Sequence, residues 1–153
     1  MSNIPFDVYM AICATKARYC RCLDEKDWQG YGDSFTEDVV LDTRDSGGEE
    51  MAGRARVVEW VRSSVETAVT VHQVHVPDIT MVDDDTADVA WAMQDRVIWD
   101  DDRARRIGRK SLTGYGYYRE RYVRCDDGRW RIARSTLSRL HINFEPFVDT
   151  TAG

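Results

Sequence analysis

Histidine and proline are both scarce in this 153-residue chain, at three copies each. The three histidines, His72, His75 and His141, do not combine with Cys13, Cys20, Cys22 and Cys125 into a metal-ligand pattern, and no C-x-x-C pair occurs. A structural zinc site is therefore not expected, and the cysteines read as buried or half-buried free thiols. Positive charge is in deficit, with 21 Lys and Arg against 27 Asp and Glu, a net charge of −6 and a pI near 5.1. That balance lacks the basic footprint of a nucleic-acid binder. No apolar run approaches the roughly 18 residues of a membrane span. The N-terminus, Met1-Ser2-Asn3-Ile4-Pro5-Phe6-Asp7, lacks the basic and apolar regions of a signal peptide, so a cytoplasmic protein is expected. Phosphate loops, dinucleotide fingerprints and metal triads are missing too, and no cofactor or metal is expected.

What is present suits one domain over residues 1–153, with a core at about 8–142 and a tail at 143–153. Hydrophobic residues make up 42% of the chain, and a chain this long buries about two-thirds of its unfolded surface. A helical pattern runs from Pro5 to about Leu23, with Pro5 suited to the first turn. A short second helix is predicted over Asp27 to Phe35. Glu37 to Thr43 reads as a strand, and 45–50 as a solvated loop. Val57, Val58, Val61 and Val65 form one stripe of a third helix, about Gly53 to Thr67. Beyond it the period changes to two. Ala87, Val89, Trp91, Met93, Val97 and Trp99 share one strand face, interrupted by Asp95. Further strands fit Thr70 to Val82, Leu112 to Arg124 and Trp130 to His141, with a charged loop from Asp100 to Lys110. Helices followed by long strands predict an α+β domain: three helices from the N-terminal half on a strongly curved, mainly antiparallel sheet, shaped as a cone with a pocket inside.

Several residues could carry chemistry there. His72 and His75 are three apart, so in a regular strand they face opposite sides, although Pro77 can alter that parity. His75 is the candidate general base, its alternative being a histidine bonded to backbone. Asp24 ends the first helix, where the macrodipole disfavours an anion. It is either a turn aspartate or the group that orients a histidine, as in a catalytic triad. Arg139 shares strand parity with Leu137, which suggests an arginine on an apolar face or in an ion pair. Tyr19 could pack in the core with its hydroxyl at the rim. Trp91, Trp99 and Tyr115-Gly116-Tyr117-Tyr118 are core by default, or walls for a flat ligand. Ala90, Ala92 and Ile98 make the reverse face of the strand that carries Trp91 apolar as well, which predicts an oligomer interface.

The combination has a likeness. Tyr19-Cys20-Arg21-Cys22-Leu23-Asp24 with Asp27-Trp28, His72-x-x-His75-x-Pro77-x-Ile79, Trp91-Ala92-Met93-Gln94-Asp95, Gly114-Tyr115-Gly116-Tyr117-Tyr118 and Trp130-Arg131-Ile132 with Leu137-Ser138-Arg139-Leu140 together resemble SnoaL-like proteins of the nuclear-transport-factor-2-like superfamily. The likeness spans about residues 8 to 142. It is strongest to the dehydratase branch, which includes bile-acid 7α-dehydratase and scytalone dehydratase. By that resemblance the catalytic tyrosine, aspartate, histidine and arginine fall on Tyr19, Asp24, His75 and Arg139. A related dehydrochlorinase has its arginine where this chain has Ser135, which speaks against halide elimination.

The resemblance implies a cofactor-independent lyase, with His75 oriented by Asp24, Tyr19 and Arg139 stabilising developing charge, and Trp28, Trp91, Met93, Tyr115 and Tyr117 holding a hydrophobic polycyclic or aromatic substrate. It also implies a trimer or dimer, while the acidic balance and the lack of a long apolar run predict no nucleic-acid or membrane partner. A polyketide-cyclase-like or ketosteroid-isomerase-like enzyme is the rival within the fold. A non-catalytic binding or docking module, such as a ring-hydroxylating dioxygenase small subunit, is the rival outside enzymology.

Overall fold

A computed structural model describes residues 4–149; the N-terminal Met1-Ser2-Asn3 of the leader reading and residues 150–153 of the predicted tail lie outside them. Four helices and seven strands follow in the order α1 (Phe6–Glu25), α2 (Trp28–Gly32), β1 (Phe35–Asp42), a 3-10 turn (Arg44–Ser46), β2 (Glu50–Ala52), α3 (Arg54–Val65), β3 (Val69–Val74), β4 (Asp78–Asp83), β5 (Thr86–Ile98), α4 (Asp101–Ile107), β6 (Arg109–Arg124) and β7 (Trp130–Pro146). The strands form one curved, unclosed sheet in the order β2-β1-β7-β6-β5-β3, with β4 also on β5. Every pairing is antiparallel except β1 with β7, which makes the sheet mixed. The expected α+β class and the helix-covered curved sheet are present. Among the described residues no helix is long and apolar enough to cross a membrane.

The differences from the sequence reading have local causes. The segment predicted as one strand from Thr70 to Val82 is two, broken at His75–Pro77, and both halves pair with successive stretches of β5. Proline cannot donate to a ladder, so the chain changes course there. The second helix stops at Gly32 because Phe35 joins β1, in register with Ile132 of β7. The charged 100–110 loop contains α4. Asp100 caps it by accepting from the Arg103 amide, acids sit in its first turn and arginines in its last, and Gly108 ends it in the left-handed region. With no apolar stripe, that helix had no periodic signal. β7 runs on to Pro146, past the predicted start of the tail.

α1 lies over the concave side of the sheet and buries Val8, Ile12, Thr15, Lys16, Tyr19, Cys20 and Leu23. Those positions recur at three- and four-residue spacing, as one helix face must. On the facing sheet, β5 turns Ala87, Val89, Trp91 and Met93 inward, and β6 does the same with Tyr118, Glu120 and Tyr122. The stripe includes a lysine with no solvent exposure. Lys16 Nζ donates to Glu120 Oε1 at 2.6 Å and lies 3.9 and 3.7 Å from the ring centres of Tyr19 and Tyr118. Ser135 and Tyr122 complete the carboxylate at 2.9 and 2.8 Å. A buried charge with every partner present is tolerated; stranding one is costly. The four cysteines are free, two buried and two half-buried, as expected.

Lys16→Met strands the Glu120 carboxylate in the core and should cost about 3–5 kcal/mol in chemical denaturation, whereas the double replacement Lys16→Met/Glu120→Leu should recover a large part of that loss.

Candidate functional site

Asp24 lies in the last turn of α1, and the sheet supplies what its helix cannot. Thr70 and His72 alternate onto the inner face of β3, two residues apart. Thr70 Oγ1 donates to Asp24 Oδ1 at 2.9 Å, and the His72 amide donates to Oδ2 at 2.9 Å. His72 Nδ1 lies 2.7 Å from Oδ1. The imidazole is 9% exposed and the carboxylate 24%. Burial pushes the Asp24 pKa up, but the side-chain and backbone hydrogen bonds of His72 and that of Thr70 outweigh it and hold the group below its usual value. An ionised carboxylate only accepts, so Nδ1 carries a ring hydrogen, and in the neutral imidazole the lone pair is then on Nε2. Lys26, the next residue but one, has φ 64° and places Nζ 2.8 Å from Thr70 Oγ1. Burial lowers its pKa, with Asp24 partly opposing the shift.

A second pair adjoins the first. Asp95 of β5 is the register partner of His72 and faces the same side. Arg139 of β7 grips it with two bonds, Nη1 to Oδ1 and Nη2 to Oδ2, both 2.7 Å. Side-chain exposures of 8% and 6% mark a buried bidentate pair. Burial lowers the Arg139 pKa, yet Asp95 leaves it above the ordinary arginine value. Nε of Arg139 reaches Ser46 Oγ at 2.8 Å, which ties the 3-10 turn to this end of the sheet. The pair fits because position 114 of β6 is glycine: a Cβ there would run into Arg139 Nη1 and lie 2.5 Å from Asp95 Oδ1.

The expected site residues therefore separate. Asp24 does meet a histidine, but it is His72 and not His75. His75 follows the end of β3 with an exposed side chain and an amide bonded to Ala92 O at 2.9 Å. The parity rule placed the two histidines on opposite faces, and the inward position belongs to His72. Arg139 faces inward as Leu137 does, and takes the ion-pair alternative with Asp95. Tyr19 is 4% exposed in a ring cluster with Tyr31, Phe35 and Tyr118, so its hydroxyl is not at a rim. Trp91 and Met93 are buried on the inner face. Tyr115 and Tyr117 point to the convex side, the former 43% exposed and stacked on His141. Trp28 packs edge-on to Tyr31 and borders a surface groove with Arg54 and Val58. The five expected walls thus lie on three different surfaces and do not enclose one pocket. The sequence did hold a signal for Asp95, the one charged residue on an otherwise apolar strand face. Thr70, Lys26 and Glu120 carried none. Among the described residues no three His, Cys, Asp or Glu side chains cluster as metal ligands.

Comparison with known proteins bears on the family and the fold. The SnoaL-like domain family matches residues 7–136. A candidate aromatic ring hydroxylase from Novosphingobium aromaticivorans superposes with a TM-score of 0.81 at 24% identity, over 93% of this chain and 96% of its own. A candidate scytalone dehydratase from the same organism gives 0.76 at 19%, over 91% and 88%. A Catenulispora acidiphila protein in complex with S-DNPA gives 0.70 at 20%, over 88% and 95%. At these identities the structures share the fold.

The lowered Asp24 pKa stabilises the fold above the unfolded value of about 3.9, and that contribution disappears as pH falls through the folded value. Asp24→Asn should therefore unfold more easily at neutral pH and show a flatter loss of stability below about pH 4, read by thermal melts across pH.

Proposed function

The chain belongs to the SnoaL-like domain family, and from that premise we propose that it is a cofactor-independent lyase of the dehydratase type, with His72 as the base and Asp24 as the group that orients it. The observation that carries this reading is the Asp24–His72 contact, which presents an imidazole of defined tautomer from the inner face of the sheet. His72 Nε2 takes a proton from a carbon beside an electron-withdrawing group. The C–H pair becomes a C=C bond, the adjacent C–O bond breaks, and the imidazolium returns the proton to the leaving hydroxyl as water. Asp24 stabilises the imidazolium meanwhile, and low exposure strengthens that interaction. Such a base contributes about 10²–10⁴ in rate.

An aromatic or polycyclic substrate agrees with the scytalone dehydratase and aromatic ring hydroxylase names of two structural neighbours. Assembly into a dimer or trimer belongs to the same reading, through the convex sheet face where Val69, Val71 and Tyr115 are exposed.

Hydroxylated aromatic and steroid-like compounds should be screened for loss of water by the absorbance of the conjugated product. On a compound that turns over, His72→Ala should lose about 10²–10⁴ in kcat, while His75→Ala stays near the parent rate. Full activity of His72→Ala would transfer the base to a carboxylate, as in a ketosteroid-isomerase-like enzyme. Binding without turnover by the parent would favour the non-catalytic module. Light scattering at micromolar protein should give a mass of two or three chains, and the mass of one chain would refute the assembly.

A further inference from the structure

α1 ends on a lysine in a backbone conformation that favours glycine. Lys26 has φ 64° and ψ 25°, and among the described residues it is the only non-glycine with positive φ. Its Cβ is crowded there, and such conformations persist where the surroundings or the function hold them. The left-handed turn aims the side chain back at the sheet. Nζ donates to Thr70 Oγ1 at 2.8 Å and makes a longer contact with Leu23 O at 3.4 Å. Thr70 Oγ1 lies 2.9 Å from Asp24 Oδ1. An ammonium has only hydrogens to give, a carboxylate only lone pairs, and a hydroxyl a single hydrogen. The order of donation along Lys26, Thr70 and Asp24 is therefore set.

We propose that Lys26 is a positioning residue for the Asp24–His72 pair: by filling the acceptor side of the Thr70 hydroxyl it commits that hydrogen to Asp24 Oδ1, keeps the carboxylate ionised, and so keeps the ring hydrogen of His72 on Nδ1 with Nε2 free. The proposal rests on the reading of His72 as a base, but its geometry stands without a known substrate. The groups facing Asp24 come from several elements. From β3 come His72 and Thr70. From α1 comes Cys20, whose thiol is pushed up to about 11 by burial and is therefore neutral. From β5 comes Asp95, the register partner of His72, whose charge is met by Arg139 of β7. Lys26 brings positive charge to the Thr70 side of the carboxylate. Without it the Thr70 hydroxyl is free to rotate, Asp24 loses a donor, and protonation of the carboxylate allows the opposite ring tautomer.

The test is NMR on the full chain, with the Asp24 carboxyl carbon followed against pH and the His72 ring nitrogens assigned by long-range correlation. Lys26→Gly removes the ammonium and relieves the backbone, so it should fold at least as well as the parent. Lys26→Met removes the charge and keeps the stem; Lys26→Arg keeps the charge. In the Gly and Met variants the Asp24 carboxyl should titrate at higher pH than in the parent, and His72 should pass from one tautomer to a mixture. The Arg variant should behave as the parent. Turnover of any identified substrate should fall about tenfold in the first two. An unchanged Asp24 titration and an unchanged His72 tautomer in both overturn the proposal. Failure of the catalytic reading would appear instead as full activity of His72→Ala, with these NMR signatures intact.

Discussion

The contact between Lys16 and Glu120 limits where α1 can sit. Both side chains have no solvent exposure, and neither can be moved off the other without stranding a charge in the core. The ammonium also lies between the rings of Tyr19 and Tyr118, one from the helix and one from the sheet, so rotation of the helix is restricted as well as its translation. Asp24 is eight residues further along, about 12 Å at the helical rise. Its carboxylate reaches Thr70 and His72 because the helix is anchored about two turns back, at Lys16. An apolar face alone would tolerate sliding by a fraction of a turn, and a hydrogen-bonded constellation does not.

Three charged pairs line the inner surface, and each is suited to a different task. Lys16 with Glu120 is fully satisfied and shut off from water, which suits anchoring. Asp95 with Arg139 is bidentate and closed over by Ser46, which suits rigidity at the open end of the sheet. Asp24 with His72 contains an imidazole, the side chain whose ordinary titration lies near neutral pH, and its carboxylate is the most exposed of the six groups. The proposed proton transfer falls to this pair because it alone of the three contains an imidazole.

The change of period near residue 69 was legible because helix and strand faces repeat at different intervals along the chain. So was the inner face of β5, where Asp95 interrupts the apolar run of Ala87, Val89, Trp91, Met93 and Val97. The assignment of His75 failed at the point where the ladder breaks. Up to Val74 the alternation with Thr70 and His72 holds, but His75 falls in the break before Pro77, and its local context resembles a strand. Tyr115 and Tyr117 failed for a related reason. Alternation separates them from Tyr118 without saying which set faces the helices.

By itself the sequence determined the α+β class, the spacing of the helix stripe and the alternation along β5, since these follow from backbone geometry within one segment. Only the tertiary structure decided which histidine faces Asp24, which acid grips Arg139 and why residue 114 carries no side chain. Those outcomes depend on register between strands far apart in the chain, and register is set by the packing of whole faces against each other.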